Sequence, residues 1–443
     1  MKNLLFSAIL LAITANGVKA QTPITLQQCM EYTLERNNAI KIQEIVNNST
    51  KQDKTESIAS LFPSLSASSS VTNSYGRSID PETNTYTTSG NLSNSYGLYA
   101  SVTVFSGLTN INAVRAARMR VEQGGLQLQQ KKDEMAISAM KLFYDALYYE
   151  ESVKIVVEQK EASEKVLKLT KKQLELGVKS EADVAVAAAE VANYDLLLTE
   201  QESSYRLAIL DVKEAMNFPL DSQIELVGSD TKLLETLKTF KPFDSSETLE
   251  YNSEVQSAKS SLKESQINLK IAKGGYLPTI SFGAGYNTNY FKMFDSDVAQ
   301  RIFSDQIRDN NGYYFGASIS IPIFKGLNSR INVIKSRNNV KIAELQLSQT
   351  ELKVEKAIKN ALLQKTSSLK EQIGAEKKIE ANKLATRAMT KKYEQGIASI
   401  IDLQKSSNDL LLAKAAYARA KYNYQIQSIM VEYYRSGVLE VRG

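Results

Sequence analysis

Leu176-Gly177-Val178-Lys179-Ser180-Glu181-Ala182-Asp183 decides the reading of this chain, together with a second stretch, Gln395-Gly396-Ile397-Ala398-Ser399-Ile400-Ile401-Asp402. In each, a glycine interrupts long helix-forming sequence, and an aspartate follows that glycine by six residues. Working outward, Phe105-Ser106-Gly107-Leu108 matches Phe324-Lys325-Gly326-Leu327, and glycines, aspartates and phenylalanines are all separated by the same 219 positions. Leu34-Glu35-Arg36-Asn37 and Phe62-Pro63 match Leu249-Glu250-Tyr251-Asn252 and Leu277-Pro278 at a separation of 215. Composition bias does not generate a constant separation over such a span. The chain is an internal duplication, lengthened by four residues between Pro278 and Phe324.

The ends and the composition bound what the chain does. Met1-Lys2-Asn3 is a short basic start, Leu4 to Ala15 is apolar, and Val18-Lys19-Ala20 offers small or short residues for cleavage. The sequence therefore predicts a secretory signal peptide over 1–20, the apolar run being too short to span a bilayer. Removing Lys2 and Lys19 with it lowers the formal charge from +5 to +3. Basic and acidic residues are interspersed, so no nucleic-acid stripe stands out. The chain has no His, no Trp and one cysteine, Cys29. An intrachain disulfide and a Ser-His-Asp or Cys-His catalytic set are thereby excluded, and the usual zinc or copper ligands are nearly lacking. Carboxylates are plentiful, but they fall in helical charge patterns that read as solvated faces.

In the first copy, Thr25 and Gln28 form a capping-box pattern, and helix is expected to about Ser60 with a bend near Asn37-Asn38. From Ser64 the period changes to two. Leu65, Ala67, Val71 and Tyr75 alternate with Ser64, Ser66, Ser68, Ser70 and Thr72. A second strand over about Leu92 to Phe105 sets Leu98, Ala100, Val102 and Val104 against Tyr99, Ser101 and Thr103. In the second copy Ile280, Phe282 and Ala284 alternate with Thr279, Ser281 and Gly283, and a partner strand sets Tyr313, Phe315, Ala317, Ile319, Ile321 and Ile323 against Gly316, Ser318 and Ser320. Long strands, apolar on one side and hydroxyl-rich on the other, with tyrosines near polar loops, fit a transmembrane β-barrel. A soluble sandwich would need a second sheet to cover the apolar faces, and no further pattern of that kind exists in the sequence. Val71, Val102, Phe282 and Ile319 are then lipid-facing candidates, and Ser70, Ser101, Ser281 and Ser320 lumen-facing ones. Four strands cannot close a barrel, and open edges are not tolerated in lipid. Several chains must contribute, eight strands for a dimer or twelve for a trimer.

After each hairpin comes a long proline-free helix of good helix formers, and 67 residues of helix would reach on the order of 100 Å. Shorter alanine-rich helices return from the glycine turns. The resulting organisation is repeat 1 over 21–217 (hairpin 64–105, long helix 108–174, return helix 181–217), a linker over 218–244 with a short strand at 223–227 and a short helix near 232–239, repeat 2 over 245–437 (hairpin 279–324, long helix 327–394, return helix 400–436) and a tail over 438–443. The fold class is mixed α/β: long antiparallel helical hairpins with four strands per chain.

The duplication, the Phe-Pro and Leu-Pro entries to the hairpins, the Phe-x-Gly-Leu exits and the glycine turns with Asp183 and Asp402 resemble the TolC-type outer-membrane efflux proteins over essentially the whole mature chain. The resemblance implies a homotrimer with a twelve-stranded barrel in outer-membrane lipid and a helical tunnel in the periplasm. It also implies a periplasmic adaptor, and an inner-membrane pump of resistance-nodulation-division, ATP-binding-cassette or major-facilitator type. The function so implied is passive conduction, with no catalysis and no cofactor. The tips at Gly177, Val178, Lys179, Gly396, Ile397 and Ala398 would contact the adaptor. Asp183 and Asp402 would ring the narrow end of the tunnel, with Tyr393 at the position from which relatives bond such an aspartate. Both aspartates also suit plain helix starts. Lys405, three residues after Asp402, is placed to neutralise it in part. Two departures stand out. Ala39 and Glu254 lie near a position where the family often has Pro, and Ala398 replaces a frequent Arg. A barrel-anchored trimeric adhesin with a helical stalk is the alternative from another class. The duplicated helix–hairpin–helix order argues against it, because adhesin anchors sit at one end of a chain.

Overall fold

The computed structural model describes residues 22–79, 84–228, 245–294 and 301–437. The expected signal peptide, the linker helix near 232–239 and the tail over 438–443 lie outside them. The elements run β1 (Thr22–Thr25), α1 (Leu26–Arg36), α2 (Asn38–Ala59), β2 (Ser64–Ile79), β3 (Tyr86–Ser106), α3 (Thr109–Glu175), α4 (Glu181–Ala215), β4 (Ile224–Val227), α5 (Ser245–Tyr251), α6 (Ser253–Gly274), β5 (Thr279–Met293), α7 (Phe303–Asp309), β6 (Gly312–Ser320), α8 (Asn328–Glu394) and α9 (Ile400–Ser436). Helices α3 and α8 are each 67 residues long and unbroken.

Asparagine, not proline, breaks the helix that enters each hairpin. The Asn37 side chain accepts from the Ala39 N–H at 2.9 Å and donates to the Ala215 carbonyl at 3.0 Å. Asn252 accepts from the Glu254 N–H at 3.0 Å in the same way. Each carboxamide thus caps the following helix, which supplies the bend without the missing Pro.

The chain divides into two units. The first draws on 1–44, 127–255 and 351–443, the second on 45–126 and 256–350. In the first, Thr25 and Gln28 form a complete capping box that starts α1 where β1 ends. Strand β1 pairs in parallel with β4, an arrangement the sequence did not announce. Ile24, Leu26 and Cys29 are buried there with Met140, Phe143, Tyr144, Val212 and Leu226. Burial pushes the Cys29 thiol up to about 12.

In the second unit the four strands form one antiparallel sheet in the order β2-β3-β5-β6. Three expectations need correction. Strand β6 does not reach Ile323 but stops at Ser320, because Pro322 has no N–H for the ladder. The segment between β5 and β6 also contains α7, anchored by one glutamine. Gln306 is buried, accepts from the Phe291 N–H and donates to the Phe291 carbonyl, both at 2.9 Å. Its carboxamide occupies the edge of β5 that the shorter β6 leaves unpaired. Likewise, β3 starts at Tyr86, earlier than the alternation at Leu92 suggests.

Candidate functional site

Two surfaces gather the residues singled out by sequence: the helical turns in the first unit and the sheet in the second. At each turn the chain leaves one helix and enters the next within five residues, 176–180 and 395–399. Gly177 and Gly396 have φ of +75° and +74°, which only glycine adopts at little cost. Gly177 donates to the Leu174 carbonyl and Val178 to that of Gln173, both at 2.8 Å. Gly396 donates to Tyr393 at 3.0 Å and Ile397 to Lys392 at 2.8 Å. Both are Schellman motifs that satisfy the last carbonyls of α3 and α8.

The aspartates are spent on the next helices. Asp183 Oδ2 accepts from the Ser180 N–H at 2.9 Å and its hydroxyl at 2.8 Å, while the Asp183 N–H donates to Ser180 Oγ at 3.2 Å. Asp402 and Ser399 repeat the arrangement at 3.3, 2.6 and 3.1 Å. These capping bonds hold both carboxyls below the usual carboxylate range, through the Ser180 N–H first for Asp183 and the Ser399 hydroxyl first for Asp402. Lys179 and Lys405 add smaller attractions of the same sign.

Between the turns sits Tyr393, fully buried with Ala187, Ile400 and Leu403. Its hydroxyl is bonded not to an aspartate but to Thr170 Oγ1, at 2.6 Å. Thr170 gives its own proton to the Val166 carbonyl at 2.8 Å, so Tyr393 is the donor. The Lys179 ammonium stands 4.6 Å from the Tyr393 ring centroid and donates to the Ala398 carbonyl at 3.4 Å. Thr170 lies 223 positions from its partner, and no local pattern in the sequence marks it. Val178 and Ile397 project outward, 59% and 71% exposed, beside the exposed Leu176 and Ile401.

On the sheet, register sorts the remaining candidates. Val102 lies opposite Phe282, which lies opposite Ala317; Ile319 faces Ile280, and Val71 faces Asn94. Strand alternation puts Val71, Val102, Phe282 and Ile319 on one face. Ser101 lies opposite Gly283, Ser281 opposite Thr103, Ser320 opposite Thr279 and Ser70 opposite Ser95, all on the other. Large apolar side chains on the first face are bare: Leu65, Val71, Leu98, Phe282, Phe315 and Ile319 are all exposed. Near its outer end the same face carries Tyr75 against Phe294, and Phe303 against Tyr96 and Tyr290. Strands β2 and β6 each have one neighbour only.

Among the described residues no cluster of His, Cys, Asp and Glu could hold a metal, and no helix is long and apolar enough to cross a membrane. The family model for outer membrane efflux proteins matches residues 30–217 and again 245–432, one match per copy of the duplication. The chain is 22% identical over 349 residues to the outer membrane protein TolC of Escherichia coli (strain K12), covering 76% of this chain and 69% of that protein. Its fold is similar to that of CusC, with a TM-score of 0.80, 15% identity and coverage of 92% of this chain and 91% of that one. VceC of Vibrio cholerae gives a TM-score of 0.77 and 15% identity over 94% of this chain and 97% of that one. Two copies of one unit, each matched by the same model, leave one conclusion: this chain belongs to the outer membrane efflux protein family, whose members are transport channels and not enzymes.

Proposed function

We propose that the chain is the outer-membrane exit duct of a tripartite efflux or type I secretion assembly. It conducts cargo passively from a periplasmic adaptor and an inner-membrane pump to the exterior. One observation carries this reading: a four-stranded sheet whose apolar face is bare and whose two edge strands lack partners. A bare apolar face of that size needs a covering, and lipid is the solvent that suits it. Unpaired edges in lipid need further strands, and the only strands of matching character are those of other copies. Three copies supply twelve strands and leave room for a water-filled lumen lined by the hydroxyl face. Exposed leucines along α8, among them Leu345, Leu352, Leu363 and Leu384, suit burial between copies. The helical part then belongs to the periplasm.

The test is an arginine scan of the sheet in full-length protein. Arg at Val71, Val102, Phe282 or Ile319 should cost about 2–4 kcal/mol of assembly stability near the bilayer midplane. Arg at Ser70, Ser101, Ser281 or Ser320 should leave assembly intact and change ion selectivity. Equal tolerance on both faces would refute the membrane reading.

The turns fit the adaptor end of the duct. Val178 and Ile397 offer exposed apolar side chains on rigidly capped turns, which is what a docking partner needs. Val178→Asp with Ile397→Asp should abolish efflux without lowering oligomer yield; normal efflux would remove both from the docking surface. Asp183 and Asp402 each present Oδ1 beyond the capping bonds made by Oδ2, so an acidic ring at the narrow end is compatible with their role as caps. Tyr393 acts there as a fixed wedge between hairpins. Asp183→Ala with Tyr393→Phe should raise single-channel conductance; unchanged conductance from assembled protein would place the constriction elsewhere.

A further inference from the structure

The hydroxyl face of the sheet carries two large side chains that lipid contact does not explain. Tyr99 and Tyr314 lie in one row across it, because Gly285 is paired with both. A Cβ on Gly97 would stand 2.5 Å from the Tyr99 hydroxyl oxygen, and one on Gly285 would stand 2.5 Å from Cε1 and 2.9 Å from Cζ of Tyr314. The phenol end of each ring therefore covers a glycine, and both positions are glycine for want of space rather than for φ. The rows on either side, Ser101–Gly283–Gly316 and Gly97–Asn287–Gly312, hold nothing larger than asparagine. None of these three rows contains a charged side chain.

Tyrosines at a bilayer surface belong on the lipid face near its ends, as Tyr75, Tyr96 and Tyr290 do. Tyr99 and Tyr314 are on the opposite face, Tyr99 well inside β3 and Tyr314 two residues inside the start of β6, in the row that crosses the middle of β5. Both remain exposed, Tyr99 at 39% and Tyr314 at 54%. The phenol end of each ring closes over a glycine while much of the side chain stays open to the lumen side. With no charge in these rows, ring stacking is what separates a flat ring from a saturated one of equal polarity.

We propose that Tyr99 and Tyr314 form a stacking site for planar aromatic rings of cargo moving through the lumen. The inference rests on the channel reading above and adds to it a chemical class of ligand. A flat ring stacks on the tyrosines and pauses there, obstructing the lumen while it stays. A saturated ring of equal size finds no π partner and passes faster.

The experiment uses the full-length chain in a planar bilayer, with 2-naphthol and decahydro-2-naphthol as uncharged probes. The dwell time of current blockades should be about two- to tenfold longer for the aromatic probe. Tyr99→Phe with Tyr314→Phe should keep that ratio, and Tyr99→Ser with Tyr314→Ser should reduce it to one. Gly285→Val, which forces the Tyr314 ring off the sheet, should lower the ratio and serves if the serine variant does not assemble. Equal dwell times in the unmodified channel, loss of the ratio in the Phe variant, or its persistence in the Ser or Val variant would each overturn the site. Absence of any conductance from the unmodified protein would instead refute the channel reading.

Discussion

Gly177 and Gly396 head two turns with the same backbone and unequal side chains. Their φ angles differ by one degree, and their Schellman and capping-box bonds correspond one for one. The interiors are not equivalent. Tyr393 has Leu174 as its counterpart, Thr170 has Met389, and Lys179 has Ala398. One copy thus supplies the ring, and the other the hydroxyl that accepts from it and the cation that covers it. After duplication the chain kept the features that satisfy backbone groups, which every helix end needs. It diverged where the two turns meet, one copy holding the ring and the other the hydroxyl.

Breaking that asymmetry should give the largest effect. Tyr393→Ala removes a fully buried ring and should cost about 3–5 kcal/mol in denaturant unfolding of the first unit. Leu174→Ala, at a half-buried position, should cost clearly less; equal costs would show that the two interiors are interchangeable. Next come the features the turns share. Gly177→Ala and Gly396→Ala should each cost about 1–2 kcal/mol, because a Cβ strains the left-handed backbone. An added Cβ on Gly396 meets Val178 at only 3.9 Å, so the two losses should match.

Ser180→Ala and Ser399→Ala should each cost about 1 kcal/mol by removing the cap. Acidification tests the same bonds. Carboxyls held below their unfolded range stabilise the fold above that range, and the contribution is lost as pH falls through the folded values. Thermal stability should therefore drop on acidification below the ordinary aspartate range, and less so in Asp183→Asn with Asp402→Asn. Lys179→Ala should have the smallest effect, about 0.5–1 kcal/mol from the lost contact with the Tyr393 ring. Ala398→Lys should gain nothing, since its nearest equivalent of that ring is Leu174.

The duplication, the family and the capping residues are legible in the sequence because each leaves a local mark. Ser180 and Asp183 sit three apart, Gly177 ends a helix, and Ser101 alternates with Val102. The alternation misled at the end of β6, running on to Ile323 although Pro322 has no N–H for the ladder. What escapes the sequence is pairing at long range. Nothing local joins Thr170 to Tyr393, or β1 to β4 some two hundred residues on. Helix α7 is too short for periodicity to reveal, and its place depends on Gln306 finding the free edge of β5. The partner of the Tyr393 hydroxyl within the chain escaped for the same reason. Family position suggested an aspartate partner, while packing delivered a threonine.

Cys29 has a practical consequence for anyone who labels this protein. Its sulfur is sealed in the core of the first unit and its thiol is held protonated far above neutral pH. Thiolate is the reactive form, so the folded chain should behave toward maleimides as though it had no cysteine. Any cysteine introduced at a turn or along the sheet would then be the sole site of attachment, with no background variant required. Reaction of the unmodified chain would carry its own message: α1 has come away from its core, and the rate of labelling counts those openings.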